Sequence, residues 1–417
     1  MRHQPITEEV STDSMENKSA ERGPLSGIRV IDLATLAAGP WAAVYLAEFG
    51  ADVIKVEQPR TGDHLRMWGE KKLGEGLFWK SMSRNKRCIS LNLRLEAGRD
   101  LLRRLVEDAD VLIEGFRPGT MERWGLNYES LSARNSGLIM LRISGYGQTG
   151  PYRTRPGFGT LAEAMSGFAD LTGQAGGPPT LPNFPLADGV AGITGAFAVM
   201  VALHARGAER SGTGQVIDVS LYEPLMRLLE PCLLDWDQLG KAATRAGNGT
   251  PHVAPRGAFE CKDGKWVVLS ASAQSIFERL ARVIEREELI IDARFRTNEA
   301  RLQNKTELDQ IISKWVSAKE RDEVLLIMNE ASVTIGPVYG VAEIFSDPHI
   351  MERQSFVNVF DDILGEMRLA NVVPRLSHTP GKVSHTGRSV GSDNAQVLKE
   401  IGVSPAEIES LREGGVI

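Results

Sequence analysis

With 417 residues, 42% of them hydrophobic and 24% charged, the chain can bury a large core and is expected to divide into two domains. A formal net charge of -6 argues against a general nucleic-acid binder, whose basic balance is missing. Three cysteines, Cys88, Cys232 and Cys261, form no C-x-x-C pair and have no histidine at metal-ligand spacing, so no metal is expected and a reducing cytoplasm fits.

Residues 1–24 lack an apolar h-region and carry several acids, so they read as a flexible tail rather than a secretory or mitochondrial leader. From Ile28 the text alternates between strand and helix. "IRVIDL" is a β-branched run, "GPWAAVYLAEFG" has Pro40 near a helix start and Gly50 at its end, and "ADVIKVE" makes a second strand. "RCISLNL", "DVLIEGF" and "GLIMLRIS" follow as strands, with helical text such as "GRDLLRRLVEDA" between some of them. The alternation predicts an α/β fold with a Rossmann-like parallel sheet covered by helices on both faces.

"PLADGVAGITGAFAVMVALHA", from Pro185 to Ala205, sets Asp188 before a long uncharged run. Locally, Asp188 reads as the N-cap of a buried helix. Glycines, His204 and Arg206 interrupt the run, which falls short of the roughly 20 residues that span a bilayer, so no membrane segment is expected.

Around Leu221 to Arg245 the text turns helical, and a boundary falls near residue 225. "GAFECKDGKWVVLSA" is a hairpin around Asp263-Gly264, followed by helical segments to about Ala331, which makes residues 226–345 linker helices and a smaller α+β domain. After "SDPHIMERQ", the strand text "MRLANVV" and an amphipathic segment from Ala395 return residues 346–417 to the large domain begun by residues 25–225.

The first strand–helix turn, "LATLAAGPWAA", lacks G-x-G-x-x-G, and no Walker A, G-x-S-x-G or H-E-x-x-H motif occurs. Chemistry must therefore come from carboxylates and basic residues. "SRNKR", Arg94 and "FRPGTMERWG" with Arg117 and Arg123 all follow strands, where open α/β sheets bind ligands, and guanidinium groups suit phosphate.

The runs "PLSGIRVIDLATLAAGPWAAVYLAEFGADVIKVEQPRTGD", "NKRCISLNL", "EGFRPGTMERWGL", "ISGYGQTGPY" and "PLADGVAG" resemble, in this order, the class III coenzyme A transferases, a likeness covering nearly all the chain after the tail. "RAGNGTPHVAPRGAF" and "SDPHI" extend it. In that family one Asp, before an apolar helix and a Gly, attacks the acyl-CoA thioester; the matching position here is Asp188, with Gly192 following. A carboxylate is a nucleophile at neutral pH without an activating base, and a helix start favours its ionised form.

The resemblance implies a covalent relay through a mixed anhydride and an aspartyl-CoA thioester, with CoA or acyl-CoA as substrate, a small carboxylic acid as acceptor and no permanently bound cofactor. It also implies an interlocked homodimer without nucleic-acid or membrane partners. Matched by motif, CoA contacts come from Ala37 and Ala38, from Gln58, and from Leu91, Asn92, Leu93 and Arg94. Others come from Gly115, Phe116 and Arg117, from Arg123, and from Pro156, Gly157, Phe158 and Gly159. The donor suggested by "SGYGQTGPY" is succinyl-CoA.

Two positions depart from the family. Many relatives carry an acid where Gly159 stands, so a polar contact near the acyl group is expected to be lost. Related acyl-CoA racemases use a histidine base where Phe158 stands, which counts against the alternative reading of a racemase or other acyl-CoA enzyme. A second alternative is a non-catalytic CoA-binding protein, in which Asp188 is a cap alone.

Overall fold

The computed structural model describes residues 23–208 and 212–417; most of the expected tail, residues 1–22, lies outside them. Six parallel strands form the main sheet: β1 Arg29–Asp32, β2 Asp52–Glu57, β3 Lys86–Ser90, β4 Val111–Glu114, β5 Ile139–Ser144 and β6 Val216–Ser220. Their spatial order is β3-β2-β1-β4-β5-β6, the 3-2-1-4-5-6 order of doubly wound sheets, so the order reverses between β1 and β4. Val30 of β1 sits opposite Val53 of β2 and Val111 of β4. These central strands are buried on both faces, which is why they read as continuous β-branched runs.

Helices cover both faces. Against one lie α1 (Ala38–Glu48) and, after the intervening helix α2 (Glu96–Glu107) and the short α3 (Gly159–Met165), the long α4 (Leu186–Ala208). Ala42, Ala191 and Val199 belong to the core on this side, whereas Leu101 and Leu105 of α2 join Val397 and Ile408 of the last two helices on the other. Residues 354–417 thus complete the large unit, together with residues up to 168 and 182–231. At the sheet edge, Asp393 Oδ2 accepts from Cys88 N at 2.8 Å and Asn394 Oδ1 from Ser90 N at 2.8 Å, which blocks the outer edge of β3.

The second unit comprises residues 232–353 and, unlike the expected division, residues 169–181. Arg245 holds that segment by donating to Asp170 Oδ1 at 2.8 Å and to the Gly177 carbonyl at 3.0 Å. Its antiparallel sheet contains β7 (Arg256–Glu260), β8 (Trp266–Ser270) and β9 (Ile335–Pro337), and Phe259, Val267, Leu269, Phe277 and Phe295 are part of its own core. The hairpin turns at Gly264, which adopts a positive φ of 74°.

One helix departs from expectation, and a second, expected as helix, leaves its apolar side uncovered. The apolar run after Asp188 forms a helix of 23 residues that passes through His204 and Arg206, so its length and composition do suffice to cross a membrane. It is buried on one face only. Gly192, Gly195 and Val199 face the core, whereas Ile193, Phe197 and Val201 are 54%, 68% and 51% exposed. The text from Glu230 forms α5 (Glu230–Leu239), which buries no residue and exposes Leu234, Trp236 and Leu239.

Close packing of α4 on α1 needs Gly192. A Cβ there would lie 2.7 Å from Trp41 Cβ and 2.8 Å from the Ala38 carbonyl oxygen.

The turn between β1 and α1 is held by buried charges in place of a glycine signature. Lys55 and Lys86, both wholly buried, flank Asp32: Lys86 Nζ lies 3.0 Å from Asp32 Oδ2, and Lys55 Nζ lies 3.8 Å from Asp32 Oδ1 and 2.8 Å from Asp63 Oδ2. Lys55 also donates to the Ala34 carbonyl and Lys86 to that of Pro40. Asp32 accepts from Ala34 N, and Asp63 from Leu36 N, which fixes Leu36 at a φ of 66°. Burial pulls Lys55 down, but Asp32, Asp63 and Glu57 outweigh it and hold the ammonium above the ordinary lysine value. Lys86 stays below that value, chiefly through burial. Replacing Lys55 by Met leaves Asp32 and Asp63 short of a buried counter-charge and is expected to cost about 3–5 kcal/mol of stability. Urea denaturation measures it; a loss near zero would contradict this role.

Candidate active site

Four strand ends supply the loops of the candidate site, at the point where strand order reverses. After β1 come Leu33 and Thr35, after β2 residues 58–64, after β3 Leu91, Leu93 and Arg94, and after β4 Phe116. They line a cavity of about 650 Å³, a volume within the range of small-molecule sites. Glu57 closes the β2 loop by accepting from Asp63 N at 2.8 Å and from Arg66 through two bonds of 2.7 Å. Glu114 fixes the β4 loop, accepting from Phe116 N at 2.7 Å and from Arg142 Nε at 2.7 Å. Phe116 packs edge-on against Trp124, whose ring also lines the cavity.

Of the residues matched by motif, the cavity brings together Gln58, Leu91, Leu93, Arg94 and Phe116. Thr35, Arg60, His64 and Trp124, which the sequence reading did not single out, line it as well. Asn92 turns elsewhere: its backbone N donates to the Val416 carbonyl, and its Oδ1 accepts from Arg94 N. Arg117 and Arg123 are exposed outside the cavity lining, as is Gly115.

The basic residues sort by partner. Arg84 pairs with Glu48, Lys86 with Asp32, and Arg87 with Asp52 and Glu400, so "SRNKR" supports the fold. Arg60, Arg94, Arg117 and Arg123 have no carboxylate partner among the described residues.

A second cluster forms around Asp188. The helix α4 starts at Leu186, so Asp188 lies within its first turn and is not its N-cap. The carboxylate faces α1, where the backbone amide of Ala38, the first residue of that helix, helps to stabilise its charge, as does its own amide. The first-turn loop lines the cavity at Leu33 and Thr35 and presents the Ala38 amide to Asp188, while Ala37 and Ala38 themselves lie outside the cavity lining.

The "PGFG" segment arrives from the end of β5 through a close backbone crossing. A Cβ at Gly157 would lie 2.8 Å from Gly145 Cα. Gly159, buried at the start of α3, stands directly against the carboxylate, and a Cβ there would fall 2.0 Å from Asp188 Oδ2. Pro156 and Phe158 are exposed, the latter 59%.

The sequence reading expected the helix start to favour ionised Asp188. The net effect is the reverse: burial, then the nearby Glu163 charge, outweigh the two amides and push Asp188 up to about 6. At neutral pH it remains mostly a carboxylate. Nor is the region around Gly159 without an acid. Glu163, one turn further along α3, is 3% exposed and accepts from Ala187 N at 3.2 Å. No motif pointed to Glu163; its burial on a short helix with little periodic text was the missing signal.

A turn without dinucleotide glycines, a cavity at the strand ends and a half-buried carboxylate in the first turn of α4 set this site apart from a nicotinamide one. Residues 25–394 match CoA-transferase family III. Succinyl-CoA–D-citramalate CoA-transferase of Chloroflexus aurantiacus is 42% identical over 396 residues, covering 94% of this chain and 98% of that protein. The succinyl-CoA–L-malate CoA-transferase alpha subunit of the same organism is 43% identical, covering 95% and 93% respectively. A crystal structure of a CAIB/BAIF family protein from Brucella suis superposes with a TM-score of 0.81 at 33% identity, over 91% of this chain and 100% of that one. The chain belongs to CoA-transferase family III and is an enzyme of that class.

Gly159→Ala is expected to fold but displace Asp188, lowering kcat at least 100-fold, the scale set by misplacing a reacting group by about 1 Å. CoA-transferase assays of the variant check this; near-normal turnover would show that the carboxylate is free to move.

Proposed function

We propose that this CoA-transferase moves CoA from succinyl-CoA to a small dicarboxylic acid, with Asp188 as nucleophile. The donor and acceptor classes follow the names of the similar proteins, which act on succinyl-CoA with D-citramalate or L-malate. One observation carries the assignment. The Ala38 amide that stabilises the Asp188 charge lies at the end of the same loop whose earlier residues wall a cavity of small-molecule size.

In the proposed cycle, an Asp188 carboxylate oxygen attacks the thioester carbonyl carbon, the C–S bond breaks, and CoA leaves as thiolate. The thiolate attacks the Asp188 acyl carbon of the resulting mixed anhydride, forming the aspartyl-CoA thioester and releasing the donor acid. The acceptor carboxylate then attacks this thioester, again expelling the thiolate, which takes the acceptor acyl group and frees Asp188. Water would hydrolyse both intermediates, and partial burial of Asp188 limits its access. Arg94 and Arg60 at the cavity, with Arg117 and Arg123 outside it, are the proposed phosphate partners, being free of protein carboxylates. Phe158 offers no base for α-proton exchange.

A cytoplasmic, interlocked homodimer completes the proposal. A groove of about 700 Å³ runs beside Tyr45, Phe49, Phe197 and Met200, among others, and a second copy would cover this apolar surface and that of α5. Light scattering should give twice the chain mass of 45.6 kDa; an active monomer would remove the assembly from the proposal.

Asp188→Asn is expected to keep the fold and abolish turnover, because an amide cannot attack the thioester. Its thermal midpoint at pH 8 should not fall, since ionising a carboxylate whose pKa is raised opposes folding as pH rises through about 6. Wild-type protein incubated with acyl-CoA alone should accumulate an adduct on Asp188, located by peptide mapping after hydroxylamine treatment. Near-normal turnover by the variant, or an adduct elsewhere, would overturn the assignment.

A further inference from the structure

Two buried or half-buried carboxylates meet at the start of α4 with no cation between them. Asp188 faces the α1 amide of Ala38, and Glu163 of α3 faces the α4 amide of Ala187, the residue next to Asp188. Such a pair opposes folding, because two like charges in a site of lowered polarity repel. Capping Ala187 does not require the charge: a neutral oxygen acceptor would serve equally.

The surroundings leave Glu163 as the one charged side chain acting on Asp188 among the described residues. The first turn of α1 presents Ala38, Gly39, Pro40 and Trp41, and its acid, Glu48, pairs with Arg84 at the far end. On β5, Arg142 is held by Glu114 and Glu122; on β6, Asp218 accepts from Gln148 N. Glu223, following β6, accepts from Ser220 Oγ, and its helical neighbour Arg227 pairs with Glu230. On α4 itself, His204 lies near the far end and Arg206 pairs with Asp110. Gly159 keeps the space between the two carboxylate-bearing helices open, since any Cβ there would meet Asp188.

We propose that Glu163 is a positioning residue for Asp188, which holds the first turn of α4 through Ala187 and whose negative charge keeps the neighbouring carboxylate poorly stabilised and therefore reactive. This rests on Asp188 being the nucleophile. A more basic carboxylate attacks a thioester better, along Brønsted lines, so long as it remains ionised at working pH. The upward displacement of Asp188 to about 6, to which Glu163 contributes after burial, meets both conditions.

Glu163→Gln keeps an oxygen for Ala187 and removes only the charge. The acid limb of kcat/KM for acyl-CoA should then move down by roughly one pH unit, with lower kcat on the alkaline plateau and unchanged KM. A purely structural Glu163 predicts an unmoved limb and plateau, which would overturn the proposal. Failure of Glu163→Gln to fold would overturn it too, since the retained acceptor would then be insufficient.

A second measurement needs no turnover. Thermal midpoints of wild type, Asp188→Asn, Glu163→Gln and the double variant form a cycle whose effects should be non-additive at pH 8, where Asp188 is ionised, and nearly additive at pH 4.5, where it is protonated. Additivity at pH 8 would show that the two groups do not sense each other. Should Asp188→Asn retain transferase activity, the nucleophile assignment fails while this coupling still reports on the pair.

Discussion

The ammonium group of Lys55, shut away from water between Asp32 and Asp63, is the contact on which the rest of the site depends. It reaches the Ala34 carbonyl, while the two carboxylates it balances take the amides of Ala34 and Leu36. Those bonds determine where the turn leaves the sheet and where α1 begins. The start of α1 in turn places the Ala38 amide opposite Asp188, and the same turn walls the cavity. A nucleotide fold commonly shapes this turn with glycines; here charge in a dry interior does it, with a left-handed leucine at its bend.

Much of the architecture was legible because buried parallel strands have a simple signature. "IRVIDL", "ADVIKVE" and "GLIMLRIS" could hardly be anything else in a chain of this composition, and each contains a strand of the main sheet. β6 was harder to see, since "VIDVS" mixes Asp218 into a short edge strand of which only the end is buried. Asp188 stood out as a lone charge before an apolar run. Its exact place in the helix did not, because the first turn includes Leu186 and Ala187, which look like loop text after Pro185. Gly159 was matched by motif without its packing role and Glu163 was missed, because their meaning lies in a contact between helices more than twenty residues apart, which no local pattern records.

Arginine roles show the same limit. Sequence alone grouped "SRNKR" with Arg94, Arg117 and Arg123 as basic residues after strands and passed over Arg60, although "SRNKR" leads into β3 and Arg60 follows β2. Only the partners separate them: Arg84 and Arg87 complete carboxylate networks that fasten strands to later segments, whereas Arg60 and Arg94 face the cavity with their charges unspent. The position of Asn92 makes the point in reverse, since it is flanked by cavity residues yet ties the chain to Val416.

The outer edge of β3 has a consequence for how the protein is made. Its amides at Cys88 and Ser90 are covered by side chains of residues 393 and 394, about three hundred positions later in the chain. At roughly 5–20 residues per second, translation takes on the order of fifteen seconds to a minute to deliver them. For that interval the nascent chain holds a hydrophobic strand, "RCISLNL", with one side unpaired, while the whole of the smaller unit is synthesised in between. An open edge of this kind recruits other strands. Whatever shields this edge during synthesis is therefore expected to affect the yield in the cell.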